Sequence, residues 1–296
     1  MKHIGIYHDP CPDGLTAAWV FQKYMLDNDK DFKLIPGQYG EGALIDLDDE
    51  TLEDSIVFFL DFSAKLPEQL LNIASKVRQV IMLDHHKTAV DMLEKMGESV
   101  PSNVITEHMT MEDSGALITW NYFYPTESAP LFVKYISDND TWKHELPGVI
   151  EFMSWFDLME PKTTSDIFNL VADFPKTPSD FAEAPQYRRG KVALKFKEIL
   201  IKQMMELAFE VELEGVKMMK VNSGFIKINS TLGNRLVTQY KMPAWVWYER
   251  MPRETEAGPE VYNSLRSEDK LEDVSAIAKK LGGGGHRNAA GFAGRP

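Results

Sequence analysis

A single cysteine, Cys11, stands among the 296 residues, so no internal disulfide can form. No apolar run approaches the ~20 residues that a membrane-spanning helix needs. The opening "MKHIGIYHDP" has one lysine and a short apolar stretch ending at His8, with no small-residue cleavage site behind it. That is not the pattern of a secretory leader. These absences give the expectation of a cytoplasmic protein. A basic stripe is missing too. The net charge is −13, and the densest cationic segment, "YRRGKVALKFK" at 187–197, reads as the start of an amphipathic helix. Long-duplex binders draw most of their affinity from neutralised phosphates. The expected partners therefore exclude long duplex nucleic acid, and nothing points to a membrane. A phosphate-bearing ligand is expected to be short, or held by a few local cations.

What is present is a rhythm. In the first half, apolar β-type runs alternate with helical patterns. Ile4–Tyr7 reads as a strand followed by the helix "GLTAAWVFQKYML". "SIVFFL" at 55–60 precedes the helix "PEQLLNIASKV", "RQVIML" at 78–83 is a third strand, and "SNVIT" at 102–106 a fourth. Helices "SGALITWNYFY" and "APLFVKYI" follow. Such alternation implies right-handed crossovers and a mainly parallel sheet. Apolar residues at helical spacing from Val192 to Phe209 predict a connecting helix over 187–213. Beyond it, "FIKIN" (225–229), "AWVWYE" (244–249) and "VYNSLRS" (261–267) read as strands, and "TLGNRLVTQY" and "DVSAIAKKL" as helices. "PRETEAGPE" at 252–260 reads as an exposed loop. The expected organisation is an α/β domain at 1–186, a linker helix at 187–213 and a smaller α/β domain at 214–296.

Each candidate strand of the first domain runs into residues that can bind a metal. Ile4–Tyr7 ends in His8 and Asp9, with Cys11 and Asp13 beyond. "IVFFL" ends in Asp61, and "VIML" in Asp84, His85 and His86. One acidic residue after a strand is ordinarily a helix cap or turn residue. Three strands ending this way are different, because ligands of open parallel sheets bind outside the strands' carboxyl ends. A fourth cluster, "ISDNDTW" at 136–142, offers Asp138 and Asp140. Carboxylate and imidazole together suit a divalent ion of intermediate hardness. Mn²⁺ accepts both, Mg²⁺ prefers oxygen, and Zn²⁺ or Fe²⁺ would tolerate Cys11 as well. Two ions sharing a carboxylate would clamp the attacking and leaving oxygens of a phosphoryl displacement. In the C-terminal segment, Gly282–Gly285 follow a helix. Four glycines imply close backbone approach, and their N–H groups can cradle phosphate. Arg266 and His286 would add charge to that loop.

The order "YHDPCPDGLTAAW", "FFLDFS", "LDHHKTA", "ISDNDTW", then "NSLRS" and "DVSAIAKKLGGGGHRNAAGF" resembles the DHH phosphoesterase superfamily with its partner DHHA1 domain. The resemblance covers nearly the whole chain. It implies two Mn²⁺ ions at the sheet's carboxyl edge and hydrolysis of phosphomonoesters or phosphodiesters. It implies His8 and Asp13 as ligands of the first motif, Asp61 as the bridging carboxylate, His85 as the third-motif ligand and Asp138 as the fourth-motif carboxylate. Asp84 would orient its neighbours or bind directly, and His86 would face the substrate phosphate. Gly283, Gly284, Gly285, His286 and Arg266 would hold the substrate's far end. Cys11 is a departure, because a carboxylate is usual at its place; it is either a soft ligand or a spacer. No additional nucleic-acid-binding domain is visible. Short oligonucleotides, linear dinucleotides or 3′-phosphoadenosine 5′-phosphate are the expected substrates, with polyphosphate hydrolysis or metal-weakened nucleotide sensing as alternatives. The oligomeric state stays open, a homodimer included.

Overall fold

A computed structural model describes residues 2–37, 52–64, 66–224, 228–250 and 260–294. The chain forms two compact units, Met1–Lys191 and Val192–Pro296.

The first unit is built on five parallel strands: β1 (Lys2–His8), β2 (Phe32–Gly37), β3 (Ser55–Leu60), β4 (Gln79–Leu83) and β5 (Val104–Ile105). Their order is β2-β1-β3-β4-β5. The chain leaves β1 toward β2 and then returns to pair β3 on the other side. The reversal puts a crevice at the carboxyl ends of β1 and β3, the place where such sheets bind ligands. β3 and β4 are apolar on both faces, Val57, Phe58, Phe59, Val80 and Ile81 among them, because helices cover both sides. On one face α1 (Pro12–Asp27), α4 (Gly115–Phe123) and α5 (Leu131–Asp140) join a core containing Trp19, Phe21, Phe58, Phe132 and Tyr135. On the other, α2 (Pro67–Ala74) and α3 (Lys87–Met96) close over Ile4, Ile6, Val57, Phe59 and Met82. Three further helices of this unit lie among the described residues before the long helix that leads out of it: α6 (Val149–Met159), α7 (Thr164–Ala172) and α8 (Pro178–Glu183).

The strand β2 was not anticipated in the sequence. It is an edge strand with Pro36 inside it, and proline is tolerated at an edge because one side of the strand needs no ladder partner.

Helix α9 (Pro185–Met205) corrects the expected 187–213 helix. It stops at Met205, and Phe209–Leu213 is a strand, β6. The segment "FEVEL" alternates apolar and acidic residues, which is the two-residue period of a strand. The second unit is a mixed six-stranded sheet of order β10-β11-β9-β8-β7-β6, with β7 (Val216–Asn222), β8 (Ala244–Arg250), β9 (Glu260–Arg266), β10 (Gly284–His286) and β11 (Ala289–Ala293). The β7–β8 pairing is parallel and the rest are antiparallel. Helices α10 (Asn229–Tyr240) and α11 (Val274–Lys280) cover it, with Leu232 and Leu236 on one core and Val274 and Ile277 on the other. The strand expected over 225–229 lies outside the described residues except for Ile228 and Asn229. Asn229 opens α10, so that end of the expectation is corrected. The loop expected over 252–260 lies outside them too, apart from Glu260, which begins β9. Among the described residues, no helix is long and apolar enough to cross a membrane.

Candidate metal centre

Among the described residues, the carboxyl edge of the first sheet gathers seven side chains that could bind metal. Their ligand atoms fall into three groups, each within 4.8 Å: His8–Cys11–Asp61, Asp61–His85–His86 and Asp13–His85–Asp140. Asp61 belongs to two groups, as does His85.

Asp61 is the hub. It directly follows β3, and its N–H extends the ladder by donating to Leu83 O at 2.9 Å. Its φ is +54°, in the left-handed region that aspartate enters more readily than most residues. The side chain is 1% exposed, and neither oxygen makes a well-aligned hydrogen bond. Yet His85 Nε2 stands 3.2 Å from Oδ1 and His8 Nδ1 3.4 Å from Oδ2. Imidazole nitrogens this close to a buried carboxylate, but misaligned with it, are aimed at common points between the groups. Those points suit cations. A carboxylate buried without hydrogen bonds is costly unless an ion compensates it, so these residues fit the divalent metals that the resemblance implies.

Asp13 is positioned differently. Its two oxygens accept from Gly115 N at 2.7 Å and Ala116 N at 3.0 Å, the first amides of α4. The helix start is tied to α5 in turn, since Ser114 N donates to Ser137 Oγ at 3.2 Å. Gly115 was missed in the sequence. A β-carbon there would lie 2.4 Å from Asp61 Cβ, so only glycine lets α4 approach the hub. Helix α1 is seated just as closely, because a β-carbon on Gly14 would meet His8 O at 2.2 Å.

Two expected residues stand elsewhere than the ligand positions. Asp138 is buried, and its oxygens accept from Glu145 N and Leu146 N, both at 3.0 Å, which fixes the turn after α5. Asp140 is the carboxylate that reaches the cluster, with Oδ2 3.3 Å from His85 Nε2. Asp84 is fully buried behind the histidines. It accepts from Ser63 Oγ, from His85 N at 2.8 Å and from His86 N at 3.2 Å, and its Oδ1 is 2.7 Å from His86 Nδ1. Its oxygens are thus taken up in shaping the turn and orienting His86, in the manner of carboxylates that support metal-bound imidazoles.

The electrostatics are those of a site loaded with negative charge. Burial would raise the Asp61 carboxyl, but His8 and His85 hold it well below the carboxylate range. Burial would lower His85, but Asp61 and the charges of Asp13 and Asp140 raise it to about 9. Asp140 is pushed up to about 6 by burial and then by Asp61. Burial, then Asp61 and Asp140, raise Asp13 as well. Cys11 is raised by burial and by Asp61, Asp140 and Asp13, so in the metal-free protein it is a thiol.

A metal needs His85 neutral, whereas the metal-free protein keeps it protonated up to about pH 9. Binding must therefore displace protons, and affinity should rise with pH until about 9. Between pH 6 and 9 the expected release includes the His85 proton; below about 6, Asp140 contributes another. Calorimetric titration in two buffers of different ionisation enthalpy measures this count. Metal binding without proton release at pH 7.5 would contradict the assignment.

The second unit has a pocket of about 400 Å³ lined by Arg266, Asn229, Tyr248, Ser264, Gly284 and Gly285, among others. Arg266 is anchored by donation to Ser264 Oγ at 2.9 Å and Ser230 Oγ at 2.7 Å. Gly285 has φ +138°, open to glycine alone. Gly283 does not line the pocket. A β-carbon on it would lie 2.0 Å from Gly291 O, so its role is close chain packing. His286 is exposed on β10 and is not among the lining residues. Asn229 is a residue that the sequence did not single out. It is 7% exposed and lines the pocket, and its Oδ1 has no hydrogen-bond partner among the described residues. Trp245, by contrast, is structural: its Nε1 donates to Asn263 Oδ1 at 2.8 Å.

No family model matches the chain. Over 97% of its length it is 31% identical to uncharacterized protein R106 of Acanthamoeba polyphaga mimivirus, and it spans 66% of that protein. Among solved structures, exonuclease RecJ bound to manganese superposes with a TM-score of 0.53 at 14% identity, covering 99% of this chain and 86% of RecJ. An exopolyphosphatase-related protein from Bacteroides fragilis gives 0.51 at 15% identity, covering 98% and 86%. At such identities the likeness speaks for the fold. The chain shares the α/β fold of these two proteins, with a parallel-sheet first unit and a smaller mixed-sheet second unit.

Proposed function

We propose that this chain is a divalent-metal-dependent phosphoesterase of the DHH/DHHA1 superfamily, acting in the cytoplasm on phosphodiester bonds of short oligonucleotides or linear dinucleotides. The observation that carries the reading is the Asp61 hub, a buried carboxylate shared by two groups of metal-ligand atoms. Two ions bound there would supply Lewis acidity and a nucleophile near neutral pH. Mn²⁺ suits the Asp13–His85–Asp140 group, which offers two oxygens and one nitrogen. The residues divide the remaining work. Asp84 holds His86 by Nδ1 and orients its ring, which suits His86 to a scissile phosphate. Asp13, fixed by the α4 amides, keeps its place without needing metal. In the second unit, Arg266 suits a terminal phosphate.

Asn229 favours a nucleotide over polyphosphate. A buried amide oxygen without a partner calls for a hydrogen-bond donor from the ligand. A ribose hydroxyl or a base amine offers one, and a polyphosphate chain at neutral pH offers none.

The test is Mn²⁺-supported hydrolysis of linear dinucleotides, oligonucleotides up to a 24-mer, and polyphosphate, competed at two salt concentrations. Each phosphate neutralised on a single strand steepens the salt dependence by ~0.7 logarithmic units. With net charge −13 and no basic track, the slope should be shallow and the shortest substrates best. A winning 24-mer whose advantage collapses with salt would assign a strand-tracking exonuclease instead. Preference for polyphosphate would assign an exopolyphosphatase-type phosphatase, and nucleotide binding without turnover a sensor.

A further inference from the structure

The structure assigns Cys11 as a thiolate ligand that makes the two metal positions chemically unlike, the His8–Cys11–Asp61 position being built for a softer ion than the Asp13–His85–Asp140 position. This inference rests on the metal-centre reading above and goes beyond it.

The placement of the sulfur carries the argument. Cys11 is the residue that caps α1, where serine, threonine, aspartate or asparagine would normally hydrogen-bond the first helical amides. Its side chain forms no regular cap, although the Gly14 amide comes near Sγ. The Sγ atom lies instead with a His8 nitrogen and an Asp61 oxygen, all within 4.8 Å of one another. The turn that presents it is tightly constrained, since the start of α1 rests against His8 O at Gly14. The independent sign of a ligand is Asp61. It is 1% exposed, and its oxygens are unengaged by well-aligned hydrogen bonds although they face this group.

The donor sets differ in kind. One position offers imidazole nitrogen, sulfur and a carboxylate oxygen; the other offers imidazole nitrogen and two carboxylate oxygens. Thiolate and imidazole favour Zn²⁺, Co²⁺ or Fe²⁺, whereas an oxygen-rich set suits Mn²⁺ or Mg²⁺. Coordination breaks the S–H bond, forms the metal–sulfur bond and releases the proton to solvent. Asp61 Oδ1 also lies 3.2 Å from His85 Nε2, a donor of the other position, so this carboxylate could reach both ions.

Cys11 is the chain's sole cysteine, so any thiolate signal belongs to it. The experiment loads the metal-free full-length protein with Co²⁺ without oxygen and records its spectrum. The expected result is a sulfur-to-cobalt charge-transfer band in the near ultraviolet that saturates at one thiolate per chain. X-ray absorption of the zinc-loaded protein should show a sulfur shell at about 2.3 Å. Cys11→Ser should abolish the band while visible cobalt absorption from the other position persists. Cys11→Asp should restore full metal content without the band and raise the affinity for Mn²⁺ relative to Zn²⁺. Cobalt uptake by the unaltered chain without a charge-transfer band, or zinc without a sulfur shell, overturns the inference and leaves the metal centre standing. Failure to take up any cobalt or zinc overturns both.

Discussion

Asp61→Asn is expected to abolish hydrolysis and metal binding together while leaving the fold intact. The substitution keeps the shape of the side chain and removes one charge from a carboxylate that belongs to two of the candidate ligand groups. Loss of the shared ligand should lower kcat/KM on a dinucleotide by on the order of 10³-fold or more, about 4 kcal/mol of transition-state stabilisation. Stability should not follow activity down. In the metal-free protein Asp61 is buried beside Asp13 and Asp140, whose ionisation it opposes. Removing its charge relieves that repulsion and gives up its pairing with His8 and His85, so the two effects oppose each other. Metal analysis, steady-state kinetics and a thermal melt of the metal-free protein check the three parts. Two metals per chain in the variant, or near-normal turnover, would remove Asp61 from the bridging role.

Gly115→Ala is expected to damage both stability and turnover, although the residue could bind no metal itself. In an ordinary helix, replacing glycine by alanine stabilises by roughly 0.5–1 kcal/mol. Here the new β-carbon would lie 2.4 Å from Asp61 Cβ and 2.7 Å from Asp61 Cα. Neither partner can swing aside. Asp61 is pinned by its N–H bond to Leu83 O, and α4 by the Asp13 carboxylate on its first amides. Overpacking of this kind costs about 1–3 kcal/mol, enough to outweigh the helix gain. A shift of about 1 Å at the hub would further lower turnover by roughly 10²-fold. The melting temperature and kcat of the variant read these separately. An alanine variant as stable and active as the parent would show that α4 does not press on the hub.

Much of this arrangement was legible in the chain. Three apolar strands ending in His8, Asp61 and the Asp84–His86 run required only that the strands be parallel neighbours for their ends to converge. The structure makes β1, β3 and β4 adjacent. The glycine run and Arg266 were legible as well, although only Gly284 and Gly285 of that run line the pocket. β10 and β11 were harder to read because glycine and alanine favour strands weakly. Pairing with β9, Ala289 opposite Arg266, is what makes them strands.

The sequence by itself determined the periodicities that build a parallel sheet, and the side chains that end its strands. Neighbouring residues sufficed for that, because strand and helix patterns are local. Tertiary structure alone decided which of two nearby carboxylates reaches the cluster. Asp138 and Asp140 both lie in the last turn of α5. At 3.6 residues per turn, residues two apart point about 200° apart. Only the packing of α5 against α1, α4 and α6 turns Asp140 toward His85 and leaves Asp138 to the turn that follows. The same holds for Asp13, whose oxygens are held by amides 102 and 103 positions along the chain. Contacts across that separation exist only once α4 has docked, and docking depends on the absence of a β-carbon at Gly115.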